Sequence, residues 1–208
     1  MGEFQEHGVI TRITGSDATS NTALLDQMFR SRKRLFGDRL GWTVTEDAEG
    51  REMDRYDALD PLYLIATDGA GHHVGSLRLL PTTGETMLRD HFSAVLDGVA
   101  LDSPRVWECT RFCVETQGAQ DMTALHIEHA TTCLLLGLCE TALAEGVAKV
   151  VGLFDRRTLH AFHHSGWRPD VVGRSGDGED AVFLGVWDVS PDSAAAIREA
   201  SGITGAIL

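Results

Sequence analysis

The run Val106-Trp107-Glu108-Cys109-Thr110-Arg111-Phe112 constrains the fold of this chain more than any other stretch. It reads as a buried strand, yet it carries a carboxylate and a guanidinium three positions apart. An unpaired charge inside a core is expensive, so each of the two needs a partner or a task. On a regular strand, residues i and i+3 point to opposite faces. Glu108 and Arg111 can share a site only if the strand bulges, twists or ends between them.

The segments around this strand set its context. Leu62–Ala66 and Val74–Leu80 are strand-like and flank the turn-prone Asp68-Gly69-Ala70-Gly71. Val147–Phe154 and Ala181–Val189 read as two further strands. A helix is expected from Ser20 or Asn21 through Leu24, Leu25, Met28, Leu35 and Phe36, weakened after Gly37 and Gly41. A short helix is expected around Met87–Leu96, and a long apolar one over 123–145 with Gly146 at its C-cap. Asp155 is placed to cap a helix running to His164. Residues 43–61 are acidic and polar and read as a surface loop. Strands interleaved with helices imply an α/β (α+β) class, a three-layer α-β-α sandwich, here as one domain over 1–208.

The formal net charge of −13 argues against a duplex nucleic-acid reader and against attraction to an anionic membrane. The basic stretch Arg30, Arg32, Lys33, Arg34 and Arg39 is the exception to this balance. No run is long enough to span a bilayer, and the N-terminus has no signal-peptide pattern. The four cysteines, Cys109, Cys113, Cys133 and Cys139, form no CxxC pair and sit in apolar segments. They read as reduced thiols of a cytoplasmic protein, with no metal site.

Arg78 lies in another strand, and Asp54 and Asp57 supply carboxylates able to neutralise Arg78 and Arg111. Spacing alone leaves two readings open. One is a structural ion-pair network that ties a loop to a sheet. The other is a polar pocket that orients a charged, amino-acid-like ligand while Glu108 takes a proton from an amine. Arg32 shares a helix face with Phe36, and Trp42 follows Gly41. A cation beside two aromatic rings suits a purine or sulfonium ligand, although Phe36 also fits a core position. His160, His163 and His164 lack carboxylate or thiolate partners at metal spacing and read as a solvated helix end. The glycines of Gly173–Gly178 precede no helix, so they make no phosphate loop.

Taken together, these residues resemble the acyl-homoserine-lactone synthase family, the LuxI-type autoinducer synthases, from about Leu25 to Trp187. Arg32, Phe36 and Trp42 match the family's Arg-x3-Phe-x5-Trp, and Glu52-Met53-Asp54-Arg55-Tyr56-Asp57 matches its Glu-x-Asp-x-x-Asp. Arg78 stands as its strand arginine before Leu-Leu-Pro-Thr-Thr, and Glu108 to Arg111 as its Glu-x-x-Arg. The resemblance implies a GNAT-like mixed sheet flanked by helices. It also implies S-adenosylmethionine as a substrate, with no resident cofactor, and a fatty acyl thioester on acyl carrier protein, or on coenzyme A, as acyl donor. Glu108 would be the base, acting through a water. Arg111 and Arg78 would hold the substrate carboxylate and the Asp54/Asp57 network, and Arg32, Phe36 and Trp42 would cover the nucleoside. A GNAT-like N-acyltransferase acting on another amine is the alternative; it has no reason to keep Arg32, Phe36 and Trp42.

Departures from the family carry information. Cys109 and Thr110 stand where relatives often have serine. Gly152 stands where members preferring 3-oxo chains have threonine, which is expected to leave room in an acyl pocket lined by Phe112, Leu135, Leu138 and Phe154. Those four also fit a plain core. The stretch 115–120 lacks the GNAT pyrophosphate signature, which favours acyl carrier protein as donor. Lys149, Arg156 and Arg157 are candidates for docking that acidic carrier.

Overall fold

Apolar periods of two and of 3.6 residues alternate along the chain, and strands and helices follow them. The computed structural model describes residues 9–96, 101–115, 124–178 and 181–208, without the side chains of residues 16, 124, 125, 157, 160, 161 and 163. Among the described residues the order is β1 (Val9–Ile13), α1 (Thr22–Arg32), β2 (Leu62–Thr67), β3 (His73–Pro81), α2 (Met87–His91), α3 (Ser93–Leu96) and β4 (Val106–Val114). Then follow α4 (Ala124–Ala144), β5 (Lys149–Asp155), α5 (Arg156–His164), β6 (Asp170–Ser175), β7 (Val182–Asp188) and α6 (Pro191–Ser201). The strands hydrogen-bond in the order β1-β2-β3-β4-β5-β7-β6. The sheet is mixed, with β4 and β5 parallel and the pairs β1/β2, β5/β7 and β6/β7 antiparallel. This is the α/β class that the sequence implies.

The chain falls into two compact units. Unit one comprises Met1–Arg78, Arg111–Leu134 and Gly205–Leu208; unit two comprises Leu79–Thr110 and Leu135–Thr204. In unit one, α1 starts after Asn21, as its capping residue leads one to expect. Leu25, Met28 and Phe29 repeat at helical spacing and pack with Ile13, Tyr63 and Ile65. After Arg32 the helix widens into a π-helical turn over Lys33–Arg39, with Leu40 N–H donating to Leu35 C=O at 2.9 Å. Gly41 then takes a left-handed φ of 67°, and Trp42 N–H turns back to Phe36 C=O at 2.9 Å. Sequence reading expects only a weakened helix here; the wide turn is what brings the two aromatic residues together.

The 43–61 segment is a loop, but it is not simply a surface loop. Glu52 and Tyr56 are buried, and Glu52 N–H donates to Phe29 C=O at 3.1 Å. Asp54 caps a 3₁₀ turn over Arg55–Ala58 by accepting from Tyr56 N–H. Polar composition hides this inward turn because the partners are distant arginines.

In unit two the register pairs Val150 with Trp187, Gly152 with Gly185 and Phe154 with Phe183. Alternation then sorts the side chains onto two faces. Val151, Leu153, Leu184 and Val186 lie on one face, packed with Leu88, Val95 and Leu101 from α2, α3 and the loop that follows. On the other face, Phe154 and Trp187 pack against Phe162 of α5, and Trp187 also meets Trp167. Asp155 caps α5 through Thr158 N–H at 2.7 Å, and Gly146 follows α4 at φ 70°, both as the sequence implies. Cys113, Cys133 and Cys139 are buried and Cys109 is half-buried, all as free thiols. Among the described residues, no helix is long and apolar enough to cross a membrane.

Candidate active site

Unit one holds six charges in a closed ring. Arg32 donates from both terminal nitrogens to Asp57, each at 2.9 Å, and from Nε to Glu52. Arg111 Nη2 donates to Glu52 Oε1 at 2.8 Å and to Asp54 Oδ2 at 2.9 Å. Arg78 Nη2 donates to Asp54 Oδ2 at 3.0 Å, and its Nη1 to Asp57 Oδ1 at 2.8 Å. The circuit therefore runs Arg111–Glu52–Arg32–Asp57–Arg78–Asp54 and back, alternating in sign with no net charge. Such alternation is what makes burying six ions tolerable, because every charge meets two of the opposite sign.

Asp57 is the most tightly held member. It also accepts from Tyr63 Oη at 2.7 Å and from Asp54 N–H at 2.8 Å. Burial pushes its carboxyl up, but Arg32 and Arg78 outweigh this and hold it well below the usual carboxylate range. Burial likewise opposes the charges of Arg32 and Arg78; Asp57 and Glu52 in the first case, and Asp54 and Asp57 in the second, raise both above the ordinary arginine value. Burial, then the Asp57 charge, pushes the Tyr63 phenol up.

Two members open toward solvent. The side chains of Arg111 and Asp54 are 10% and 14% exposed, while the other four are buried almost completely. Arg111 also has a left-handed φ of 54°, a conformation that costs a side-chain-bearing residue about 1–2 kcal/mol. The left-handed φ interrupts the regular extended backbone of β4 at this residue. The Arg111 guanidinium lies 5.3 Å from the Phe36 ring centroid, and Phe36 stacks on Trp42 at 5.1 Å and 22°. Trp42 is 54% exposed, so an aromatic surface continues from the open edge of the ring to solvent. The structure thus brings together Arg32, Phe36, Trp42, Asp54, Asp57, Arg78 and Arg111. Sequence reading assigns no role to Glu52 or Tyr63; a run of loop carboxylates gives no sign of which will turn inward. The basic stretch around them is largely compensated, with Arg30 on Asp26, Lys33 on Asp38 and Arg34 on Glu115.

Glu108 belongs to unit two and is fully buried there. Its carboxylate accepts from Leu88 N–H at 2.6 Å and from Met87 N–H at 3.1 Å, at the start of α2. The side chain therefore has a structural duty as well as any chemical one. β4 pairs with β5 only through Val106–Glu108 against Lys149–Val151, and β5 runs on to Asp155 beyond that ladder. Glu108 lies on the α2 face of β4, so Cys109, by alternation, faces the α5 side.

The proposed acyl-pocket residues separate. Phe112 is half-buried and belongs to unit one. Leu135 and Leu138 are buried in α4, and Phe154 is buried in the aromatic cluster, all in unit two. Gly152 does not leave open space: a Cβ there would sit 3.0 Å from Cys109 O and 3.7 Å from Trp187 Cζ3. Of the docking candidates, Lys149 is paired with Asp188 and Arg156 is exposed. The Arg157, His160 and His163 side chains, and residues 116–120, lie outside the described residues.

Comparisons with known proteins place the chain in a family. The family model described as autoinducer synthase covers residues 16–197. An acyl-homoserine-lactone synthase of Rhizobium etli is 43% identical over 175 residues, which is 83% of this chain and 81% of the relative. Among solved structures, MesI, a CoA-dependent acyl-homoserine lactone synthase, is 25% identical with a TM-score of 0.81, covering 95% of this chain and 97% of its own. BjaI, another CoA-dependent acyl-homoserine lactone synthase, solved with SAM and isopentyl-CoA, is 26% identical with a TM-score of 0.79, over 95% of this chain and 90% of its own. The chain belongs to the autoinducer synthase family, the acyl-homoserine-lactone synthases, and is an acyltransferase.

Proposed function

We propose that the protein acylates the amine of S-adenosylmethionine from a fatty acyl thioester and then closes the lactone, releasing methylthioadenosine and the free carrier thiol. The product is a quorum-sensing autoinducer. The reading is carried by the 43% identity to a named synthase over most of both chains. The charge ring supports it, because a zwitterionic sulfonium substrate needs a site that is ionic yet balanced.

Arg111, at the open edge, takes the substrate carboxylate, and Asp54 beside it attracts the cationic end. Phe36 and Trp42 stack on the nucleoside. Arg32, Arg78 and Asp57 are positioning residues, since the ring itself occupies them. Glu108, with its orientation held by two backbone N–H groups, accepts the amine proton through a water. The amine nitrogen attacks the thioester carbonyl, and the thiolate leaves with the carrier. The methionine carboxylate then displaces methylthioadenosine from the γ-carbon as the ring closes. The acyl chain lies on the Cys109–Gly152 side of unit two, past the last β4–β5 pair, together with Phe154, Leu135 and Leu138.

The donor is an acyl carrier protein thioester, with acyl-CoA as the other possibility, since MesI and BjaI are described as CoA-dependent. S-adenosylmethionine serves as substrate, and no resident cofactor or metal takes part. Four free thiols fit a reducing, cytoplasmic setting. The test is incubation of the purified protein with S-adenosylmethionine and a panel of acyl carrier protein and acyl-CoA thioesters. Mass spectrometry should find methylthioadenosine and an acyl lactone in equal amounts. Binding of S-adenosylmethionine without lactone from any donor would overturn the reading.

A further inference from the structure

β5 and β7 place two glycines directly opposite one another, Gly152 and Gly185. Paired residues on antiparallel strands point to the same face, so this pair leaves a bare strip of backbone on the α5 side. The strip is covered, and the Trp187 ring reaches both glycines. A Cβ at Gly185 would lie 2.5 Å from Phe154 Cε1, 2.8 Å from Pro169 Cβ and 3.0 Å from Trp187 Cη2, and one at Gly152 would lie 3.0 Å from Cys109 O and 3.7 Å from Trp187 Cζ3. The six-membered edge of Trp187 therefore spans both glycines. It is held there by Phe162, with centroids 5.0 Å apart and planes at 85°, by Phe154 at 5.6 Å, and by Trp167 at 6.2 Å. Gly152 is also the first β5 residue beyond the β4–β5 ladder.

We infer that Trp187 is the specificity-determining wall of the acyl site and restricts the donor to short acyl chains. The inference rests on the lactone-synthase reading above. A chain that enters past the last β4–β5 pair on this face meets the indole at Gly152. Without that ring, space opens over Gly152 beside the Cys109 carbonyl, in which further methylenes can lie. Burying them is favourable in proportion to their apolar area, so ring size at position 187 translates into chain-length preference. Trp187 is buried, and among the described residues its Nε1 has no hydrogen-bond partner. Replacing the indole therefore removes packing without breaking a hydrogen bond.

The experiment measures kcat/KM of the full-length wild type, Trp187→Leu and Trp187→Phe with butyryl, hexanoyl, octanoyl, decanoyl and dodecanoyl thioesters on both carriers. The wild type should favour butyryl or hexanoyl. Trp187→Leu should raise the dodecanoyl-to-hexanoyl ratio by about tenfold or more, the scale on which apolar pockets discriminate chain length, and Trp187→Phe by less. Thermal melts show which variants are folded, and if Trp187→Leu is not, the Trp187→Phe ratio decides. An unchanged ratio in the folded variants, or a wild type that accepts dodecanoyl as readily as hexanoyl, overturns the assignment and leaves the synthase reading standing. A wild type that makes no lactone from any donor overturns both.

Discussion

Unit one buries three guanidinium groups and three carboxylates beside a modest apolar core, whereas unit two buries aromatic rings over paired glycines and, among its charges, buries Glu108 completely. The two interiors place different demands on sequence. Ionic burial works only when every member is present, because one deletion strands a charge in low dielectric. Apolar burial fails gradually with lost area and cavity volume. A family that handles a zwitterion and an acyl chain needs both kinds of interior, and here each is concentrated in a different unit.

Breaking the ring gives the largest expected effect. Arg78→Met leaves Asp54 and Asp57 undercompensated and should destabilise the protein by about 3–5 kcal/mol in urea unfolding. Adding Asp54→Asn to that variant should recover part of the loss, since it removes one stranded charge. If Arg78→Met unfolds at the wild-type midpoint, the ring is not the interdependent unit described.

The completely buried carboxylate of unit two sharpens the comparison. Glu108→Gln should lower kcat roughly 10²–10⁴-fold, the usual worth of a general base, and should cost less stability than alanine, because its single amide oxygen still accepts one of the two α2 N–H groups while its NH2 faces the other. Glu108→Ala should lose the same activity and also about 1–3 kcal/mol of stability, through buried N–H groups left without an acceptor. Near-normal turnover by Glu108→Gln would remove the base assignment.

The smallest effect tests a neutral polar group in unit one. His73 is buried and hydrogen-bonded to Ser76 at 3.0 Å, and burial pushes its pKa from 6.5 down to about 4. A histidine depressed in the folded state takes up its proton more readily when unfolded. Its neutral form thus supports the fold fully above pH 6.5, and that support declines as pH falls from 6.5 to about 4. His73→Gln should flatten the pH dependence of stability across that window. Asp57, depressed from 3.8, contributes a separate loss only below that pH. An unaltered slope in His73→Gln would place the acid sensitivity elsewhere.

Much of the architecture is legible in the residues because it is local. β4 spans Val106–Val114, α5 follows its Asp155 cap, and Gly146 follows α4, all where periodicity and capping chemistry put them. The wide turn at Lys33–Arg39 is not legible, since no residue type signals an i+5 bond. Nor does an acidic loop reveal that Glu52 points inward, because its partners lie on other elements. The glycine at 152 suggests empty space, and the ring that fills it comes from 35 positions later.

By itself the sequence determined the strand-and-helix order, the ordered set of Arg, Phe, Trp, Asp and Glu that marks the family, and the chemistry they imply. The order and the set follow from residue type and spacing, and the chemistry is what their resemblance to the family implies. Only the tertiary structure decided that the charges close into a neutral ring with Arg111 and Asp54 at its open edge, that Glu108 anchors α2, and that Trp187 occupies the strip above Gly152 and Gly185. Each of these depends on residues far apart in the chain meeting at hydrogen-bond or van der Waals distance, which no local pattern encodes.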